Sequence, residues 1–237
     1  MEFPTPLVKA RLLRRYKRFL ADAVLEEGPG AGEEITAHCA NPGAMTGLAE
    51  PGTSIRLAPV ADPARKLRWS WKLAALPGGG WANVDTGAAN RVAGEALRAG
   101  AVPAFAGYDA VRAEAKYGAR SRVDFLLQAE GRPDCYVEVK SVTLRRQGAL
   151  AEFPDARTAR GARHLEELAA MVGQGARAAL LYVVMRTDCT AVGVAGDIDP
   201  AYAAACAAAR AAGVEILAHA CAIDPRGLTL GEALPVV

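Results

Sequence analysis

Three side chains in this 237-residue chain have types and spacing that could act together chemically. Asp124 lies in one β-like apolar run, and Glu138 and Lys140 lie in the next. Because side chains two apart on a strand share a face, Glu138 and Lys140 point the same way. Asp124 is seven residues before Gly131 and Glu138 is seven after it. A symmetric hairpin about Gly131 therefore sets the two carboxylates opposite each other, with the ammonium beside them.

Two carboxylates and an ammonium group at one spot can hold a hard divalent cation and steer a water molecule. That combination suggests phosphodiester cleavage. The alternative is an ordinary solvated strand face, since Glu-x-Lys on a strand is usually a weak, exposed ion pair. Register matters as well, because a slip of one residue would move Asp124 to the other face.

Length and composition describe a chain able to form one large domain or two small ones. It is 51% hydrophobic and 23% charged, which supports a real core and excludes disorder. No apolar run reaches membrane-spanning length and no signal peptide is visible, so we expect a cytoplasmic protein with no membrane partner. Five cysteines without a C-x-x-C pair and three scattered histidines argue against disulfide scaffolds, zinc ribbons and His-rich metal sites.

The overall charge is only +2, but basic residues are unevenly distributed. Six of them cluster near the N-terminus, beside Tyr16 and Phe19 and with no acid among them: Lys9, Arg11, Arg14, Arg15, Lys17 and Arg18. Such a run could follow a phosphate backbone while the rings stack on bases. An ordinary solvated basic surface is the alternative.

Residues 1–80 are predicted to form a small barrel of short strands. Clusters of Gly and Pro, which favour turns, separate five β segments. These segments are 7–13, 18–25, 34–39, 53–58 and 67–75. Five short strands at this spacing favour an oligonucleotide-binding (OB) barrel. The cluster at 77–80 predicts the domain boundary.

Residues 81–237 are predicted to form a mixed α/β domain. The expected helices are 90–99, 156–172 and 201–212, and the expected strands are 111–117, 122–128, 136–144, 178–185, 190–194 and 214–218. The run 178–185 is apolar throughout, which is typical of a strand buried in a sheet. From residue 90 the order is α-β-β-β-α-β followed by β-α-β. The predicted class is therefore α/β, of the α+β two-domain kind.

This order, with Asp124 on one strand and Glu-x-Lys on the next, resembles the PD-(D/E)xK nuclease superfamily, the restriction-endonuclease-like fold. Val123 stands where that superfamily usually has Pro, which ligates no metal. Over nearly its full length the chain is also similar to the sugar fermentation stimulation protein (SfsA) family. The blocks that carry this similarity are 38–45, 117–125, 136–140, 153–156, 158–161 and 164–165. Ser141 departs from the expected Asn, and 85–90 is a looser version of its block.

The resemblance implies an N-terminal OB barrel, a C-terminal nuclease-like domain with a mixed central sheet, and non-specific DNA binding. Asp124 and Glu138 would then supply oxygens to Mg²⁺ or Mn²⁺, with the Val139 carbonyl as a third ligand. Lys140 would orient the attacking water or stabilise the charge that develops on phosphate. The superfamily often places a Glu on the first helix, which points to Glu95. A solvated helix residue is the alternative for Glu95.

On the long helix, Arg157, Arg160 and His164 are spaced by three and four residues and share a face. Arg160 could grip a scissile phosphate, and we group His164 with it as nucleic-acid-binding. An exposed basic helix face and a structural histidine are the alternatives. Trp69 and Trp71 could stack on bases, although the core is the commoner place for tryptophan.

The sequence therefore favours a nucleic-acid-binding protein with metal-dependent nuclease activity, with DNA as the expected partner and RNA as an alternative. A second hypothesis is a DNA-binding regulator of sugar metabolism whose nuclease site is vestigial. A third is a plain ligand-binding or scaffolding module. Many nucleases of this fold act as dimers, so the resemblance also admits a homodimer.

Overall fold

The computed structural model describes residues 1–117 and 121–237, and it shows two domains built on different sheets. Within these residues the N-terminal domain has strands β1 to β6: Val8–Tyr16, Leu20–Leu25, Glu34–Cys39, Ser54–Pro59, Trp69–Ala75 and Trp81–Asn83. They lie in the order β3-β2-β1-β4-β5-β6, and β3 also pairs with β5. This second pairing closes the sheet and confirms the predicted OB barrel.

Alternation of apolar and polar residues places the barrel strands. Ala10 and Leu12 of β1 are fully buried, whereas Arg11 between them is exposed. The turn at 77–80, predicted to be the domain boundary, instead joins β5 to β6, which pairs antiparallel with β5. The N-terminal sheet therefore continues to Asn83, beyond the predicted limit at residue 80.

The C-terminal domain contains three helices and the remaining strands of the described chain. The helices are α1 (Gly87–Arg98), α2 (Ala159–Gly173) and α3 (Pro200–Ala211). Strands β7 to β15 are Ala110–Tyr117, Ser121–Gln128, Cys135–Val142, Leu144–Arg145, Leu150–Phe153, Arg177–Val184, Ala191–Val194, Glu215–Asp224 and Gly227–Ala233. Six of them form a mixed sheet in the order β15-β14-β12-β9-β8-β7, and β10, β11 and β13 form a smaller one. This is the predicted mixed α/β architecture.

The central strand β12 separates two cores. It pairs in parallel with both β9 and β14, and nearly all of it is buried, as its apolar run predicts. Ala179 and Leu181 pack into the core that holds α1. Leu180 and Tyr182 pack on the opposite face, into the core that holds α2 and α3. The helices therefore cover both faces of the sheet.

The β8–β9 hairpin has the symmetric register that the sequence predicts. Phe125 pairs with Val137, and Leu127 pairs with Cys135. Extending this register by one residue sets Asp124 opposite Glu138. The pairing with β9 is not continued past Phe125, and at this point the Asp124 carboxylate accepts a hydrogen bond from the Val139 backbone N–H.

Several elements differ from the sequence predictions. Helix α1 begins at Gly87 and not at residue 90, and the predicted strand 136–144 is divided into β9 and β10. Strands β6, β11 and β15 were not predicted; β6 and β15 pair with the strands that precede them, and β11 pairs in parallel with the distant β13. Helix α2 begins at Ala159 and not at residue 156, because the Thr158 side chain caps it by accepting from the Gly161 N–H.

Three further observations bear on the predictions from composition. All five cysteines are free and buried, as expected of small core residues. In the part of the chain that the structure describes, no helix combines the length and the apolar character needed to cross a membrane. Residues 118–120, part of the similarity block 117–125, lie outside the described residues.

Candidate active site

Asp124, Glu138 and Lys140 come together where β8 and β9 separate. The Asp124 carboxylate accepts from the Val139 N–H at 2.7 Å and from the Asn90 side-chain amide of α1 at 2.6 Å. Lys140 Nζ donates to Glu138 Oε1 at 2.6 Å. The sheet thus presents two carboxylates and one ammonium at one place, fixed by neighbouring strands and by α1.

Glu138 is the most buried member of the group, with 3% of its surface exposed. Its Oε1 contacts both Lys140 and the Nδ1 atom of His164, a buried residue of α2. Its Oε2 is buried and has no hydrogen-bond partner among the residues that the structure describes. Because a buried carboxylate oxygen without a partner is costly, this atom is a natural place for a cation to bind.

The two carboxyl groups have opposite pKa shifts. Burial, together with the nearby negative charge of Glu138, raises the pKa of Asp124 to about 6. Burial also acts to raise the pKa of Glu138, but the hydrogen bond from His164 and the charge of Lys140 outweigh it and lower that pKa. Glu138 is therefore held in its charged form, whereas burial and the charge of Glu138 destabilise the charged form of Asp124.

The residues present fit a hard divalent cation. Asp124 and Glu138 supply carboxylate oxygens that retain free lone pairs, and Val139, which follows Glu138 on β9, contacts Asp124 through its backbone N–H. Across residues 1–117 and 121–237, no three His, Cys, Asp or Glu side chains gather as a metal site. The remaining ligands would then be backbone carbonyls and waters, which suits Mg²⁺ or Mn²⁺ better than zinc.

The structure does not bring Glu95 to this group, so that assignment is corrected. Glu95 is on α1 as predicted, but its carboxylate is half exposed and pairs with the N-terminal ammonium of Met1 at 2.6 Å. Asn90 is the α1 residue that reaches Asp124. The side chains of residues 90 and 95 point in different directions because an α-helix has 3.6 residues per turn. The residue of α1 that contacts the group is thus an amide and not the expected acid.

A cleft of about 430 Å³ opens beside the carboxylates, between the barrel and the C-terminal domain. Asn90, Val139, Lys140 and Ser141 line its floor. Barrel residues line one wall and the segment 152–158, which leads into α2, lines the other. The Ser141 hydroxyl is buried and, within residues 1–117 and 121–237, is a second polar atom here without a hydrogen-bond partner. The cleft was not predictable from the sequence, because its walls are far apart along the chain.

Three of the six residues of the N-terminal basic cluster form ion pairs within the barrel. Lys9 and Arg11 pair with Glu26 on the chain that follows β2, and Arg14 pairs with Asp22 of β2. The antiparallel register sets Arg14 directly opposite Asp22. The barrel therefore supplies these three residues with acidic partners that are remote in sequence, and their contact with a phosphate backbone stays a prediction.

The other three basic residues have separate places. Arg15 donates to the carbonyl oxygens of Asn41, Gly43 and Ala44 and so shapes that loop. Lys17 and Arg18 lie exposed in the turn between β1 and β2 and form no ion pair with any described residue. Of the six, Arg18 alone among the described residues lines the cleft.

The residues predicted to share a face of α2 differ in their exposure to solvent. Arg160 is exposed, and its Nε atom donates to His164 Nε2 at 3.2 Å. His164 is buried against Glu138, so it is a partner of the carboxylate and does not lie where nucleic acid could contact it. Arg157 lies at the cleft, just before the helix.

The aromatic residues divide into core and surface. Trp71 is fully buried and donates its ring N–H to the Leu73 carbonyl, so it is no stacking platform. Tyr16 is covered by the Arg14 guanidinium, 4.9 Å from the ring centroid. Phe19 is 45% exposed and lies parallel to the His38 ring.

Comparisons with known proteins agree with this architecture. A family model described as the SfsA N-terminal OB domain matches residues 13–84, and one described as the sugar fermentation stimulation protein RE domain matches residues 87–227. Sugar fermentation stimulation protein homologs of Dinoroseobacter shibae and a Jannaschia species are 57% and 56% identical; the alignments cover all of this chain and 96% and 97% of theirs.

A solved structure gives the same result in three dimensions. SfsA of Pyrococcus furiosus, determined in complex with Ca²⁺, is 26% identical and superposes with a TM-score of 0.88, covering 100% of this chain and 98% of that one. The resemblance noted in the sequence is thus confirmed across both domains. The chain belongs to the sugar fermentation stimulation protein family.

Proposed function

We propose that this protein is a metal-dependent nuclease that hydrolyses phosphodiester bonds in nucleic acid. The observation that carries the proposal is the meeting of Asp124, Glu138 and Lys140 at the edge of a cleft, with Glu138 Oε2 buried and without a hydrogen-bond partner in the described chain. Paired carboxylates with an adjacent ammonium suit the handling of a cation and a phosphate.

In this proposal each side chain has a role set by its contacts. Asp124 and Glu138 would hold Mg²⁺ or Mn²⁺, which when bound acidifies a water and neutralises charge on the phosphate. Asn90 keeps the Asp124 carboxylate in place, and His164 does the same for Glu138. Lys140 faces the cleft and can stabilise the negative charge that develops on the phosphate oxygens.

The complex of Pyrococcus furiosus SfsA with Ca²⁺ supports the metal requirement. Ca²⁺, Mg²⁺ and Mn²⁺ are all hard ions bound mainly by oxygen, so a fold that holds one has the ligand chemistry for the others. The OB barrel supports a nucleic-acid substrate, because such barrels commonly bind oligonucleotides.

The test is a cleavage assay with labelled DNA and RNA oligonucleotides, in Mg²⁺, in Mn²⁺ and in EDTA. We expect the wild-type protein to cut in metal only, and Asp124→Asn, Glu138→Gln and Lys140→Ala each to lose cutting while keeping nucleic-acid affinity. Glu130→Gln, on the exposed turn of the same hairpin, is the matched control and should cut normally. A wild-type protein that cuts no substrate in either metal refutes the proposal.

One observation favours a second candidate, a DNA-binding regulator with a vestigial site. Glu138 Oε1 is already engaged by Lys140 and His164, so the group partly neutralises itself without a cation. This candidate predicts DNA affinity that falls steeply with salt and does not respond to divalent metal. Binding measured with and without Mn²⁺ at matched ionic strength separates the two.

A further inference from the structure

A close contact between the two domains forms part of the cleft beside the candidate active site. The Met45 backbone N–H of the barrel donates to the Asp155 carboxylate at 3.3 Å. Gly43 lies so near Asp155 that an added Cβ would be 2.7 Å from its Cγ atom. Only glycine fits at this position, and Arg15 fixes the same loop through its carbonyl oxygens. The cleft is therefore a built feature of the folded chain.

The size of the cleft limits what can enter it. A volume of about 430 Å³ is within the range of pockets that hold small ligands. A ligand of the size of one unpaired nucleotide therefore matches this volume better than the stacked base pairs of a duplex do.

In the cleft, positive charge without an ionic partner exceeds negative charge without one. Arg18 and Arg157 line the cleft and form no ion pair within the described chain, whereas Lys140 is paired with Glu138. Of the two acids that line it, Glu152 is paired with Arg146, and Asp155 accepts from the neutral N–H of Met45 and so keeps its charge. Arg18 lies at the cleft in a tight turn with Lys17, where its backbone φ is 62°. A phosphate group is the ligand that these cations fit.

An exposed ring adjoins Arg18. Phe19 is one of the exposed large apolar side chains of the described chain, and its ring is stacked at 6.4 Å on His38. The His38 ring lies against one face of Phe19, so the opposite face of Phe19 is the one available to a ligand. Aromatic faces of this kind stack on unpaired bases, because every base has a π-face but a duplex hides it.

We infer that this interdomain cleft is a binding site for an unpaired nucleotide, in which Arg18 and Arg157 hold a phosphate and Phe19 stacks on a neighbouring base. The site selects a single strand or a frayed strand end over an intact duplex. This inference rests on the proposed function and adds its substrate class. The phosphodiester that lies near Lys140 would belong to single-stranded nucleic acid.

The test measures binding in EDTA, so that it stands whether or not the protein cuts. Fluorescence anisotropy compares a labelled 15-nucleotide oligo-dT with a blunt duplex of the same length. We expect the single strand to bind at least ~10-fold more tightly, and Phe19→Ala, Arg18→Ala and Arg157→Ala each to weaken single-strand binding by about 5-fold or more. Each arginine variant should also reduce the slope of log affinity against log salt by ~0.7.

Lys66→Ala is the control, since Lys66 is an exposed cation of the same barrel away from the cleft. Phe19→Leu, which keeps an apolar side chain, should lose affinity like Phe19→Ala, and unfolding midpoints confirm that all variants fold. Equal affinity for duplex and single strand overturns the inference. So does a loss in the three cleft variants no larger than that in Lys66→Ala.

Discussion

At the scale of single residues, chemistry was predicted where charge interrupts an apolar run. Asp124, Glu138 and Lys140 stood out because buried strands rarely carry charge, and the hairpin symmetry about Gly131 was enough to pair them. Asn90 and His164 carried no such signal. An amide on a helix and a lone histidine are common residues, and their roles come from contacts with Asp124 and Glu138 that bring together distant parts of the chain.

A second ionic group tests the electrostatics of the fold away from the site. Asp188 accepts from Arg186, a buried residue whose backbone bridges to Ala82 of the barrel, and from Arg145. Burial acts to raise the pKa of Asp188, but hydrogen bonds and charge from Arg186 and Arg145 lower it to about 2. Because the folded-state pKa is depressed, the stabilisation is present above the unfolded pKa of ~3.9 and is lost as pH falls toward 2.

We predict that Asp188→Asn lowers the free energy of unfolding at pH 7 by about 1 kcal/mol, a value discounted for the partial exposure of the group. The difference from wild type should narrow steadily between pH 4 and pH 2, as measured by urea unfolding. Glu130→Gln serves as the exposed-acid control and should differ little from wild type throughout. A gap between wild type and Asp188→Asn that is constant over this pH range contradicts the account.

At the scale of elements, strands with strong apolar or alternating patterns were predictable, and those defined by their partners were not. The buried strand β12 and the strand Glu34–Cys39 followed directly from composition and turn signals. Strand β11 has only four residues, and it is defined by its pairing with β10 and with β13, which is far along the chain. The segment from β11 to α2 forms a wall of the cleft, so the unpredicted elements are part of what shapes the candidate site.

Helix α1 positions Asn90 through close packing at Gly94. An added Cβ at Gly94 would lie 2.9 Å from two ring atoms of Phe125, the residue that follows Asp124. We predict that Gly94→Ala destabilises the protein by about 1 kcal/mol or more in urea unfolding, because overpacking outweighs the ~1 kcal/mol gain in helix propensity. Gly173→Ala, on α2 with nothing within 4 Å, is the matched control and should be neutral or stabilising. A Gly94→Ala variant as stable as Gly173→Ala would show that α1 can shift freely.

At the scale of the whole molecule, the barrel and the C-terminal domain act on one cleft. The sequence predicted two domains of the correct classes, and the family models divide the chain in the same way. It did not predict the hydrogen bond from Met45 to Asp155 that joins the two domains, because these residues are more than a hundred positions apart. The proposed nuclease therefore depends on both domains, with the carboxylates from one and a wall of the cleft from the other.

The central claim is that Asp124 and Glu138 hold one divalent ion between them. The most direct measurement is a titration of Mn²⁺ followed by electron paramagnetic resonance, in which bound Mn²⁺ loses the sharp signal of the free ion. The account predicts that the wild-type protein and Glu130→Gln each bind one ion at this site, and that Asp124→Asn and Glu138→Gln lose it. A wild-type protein that binds no Mn²⁺, or two carboxamide variants that bind it as wild type does, would contradict the account.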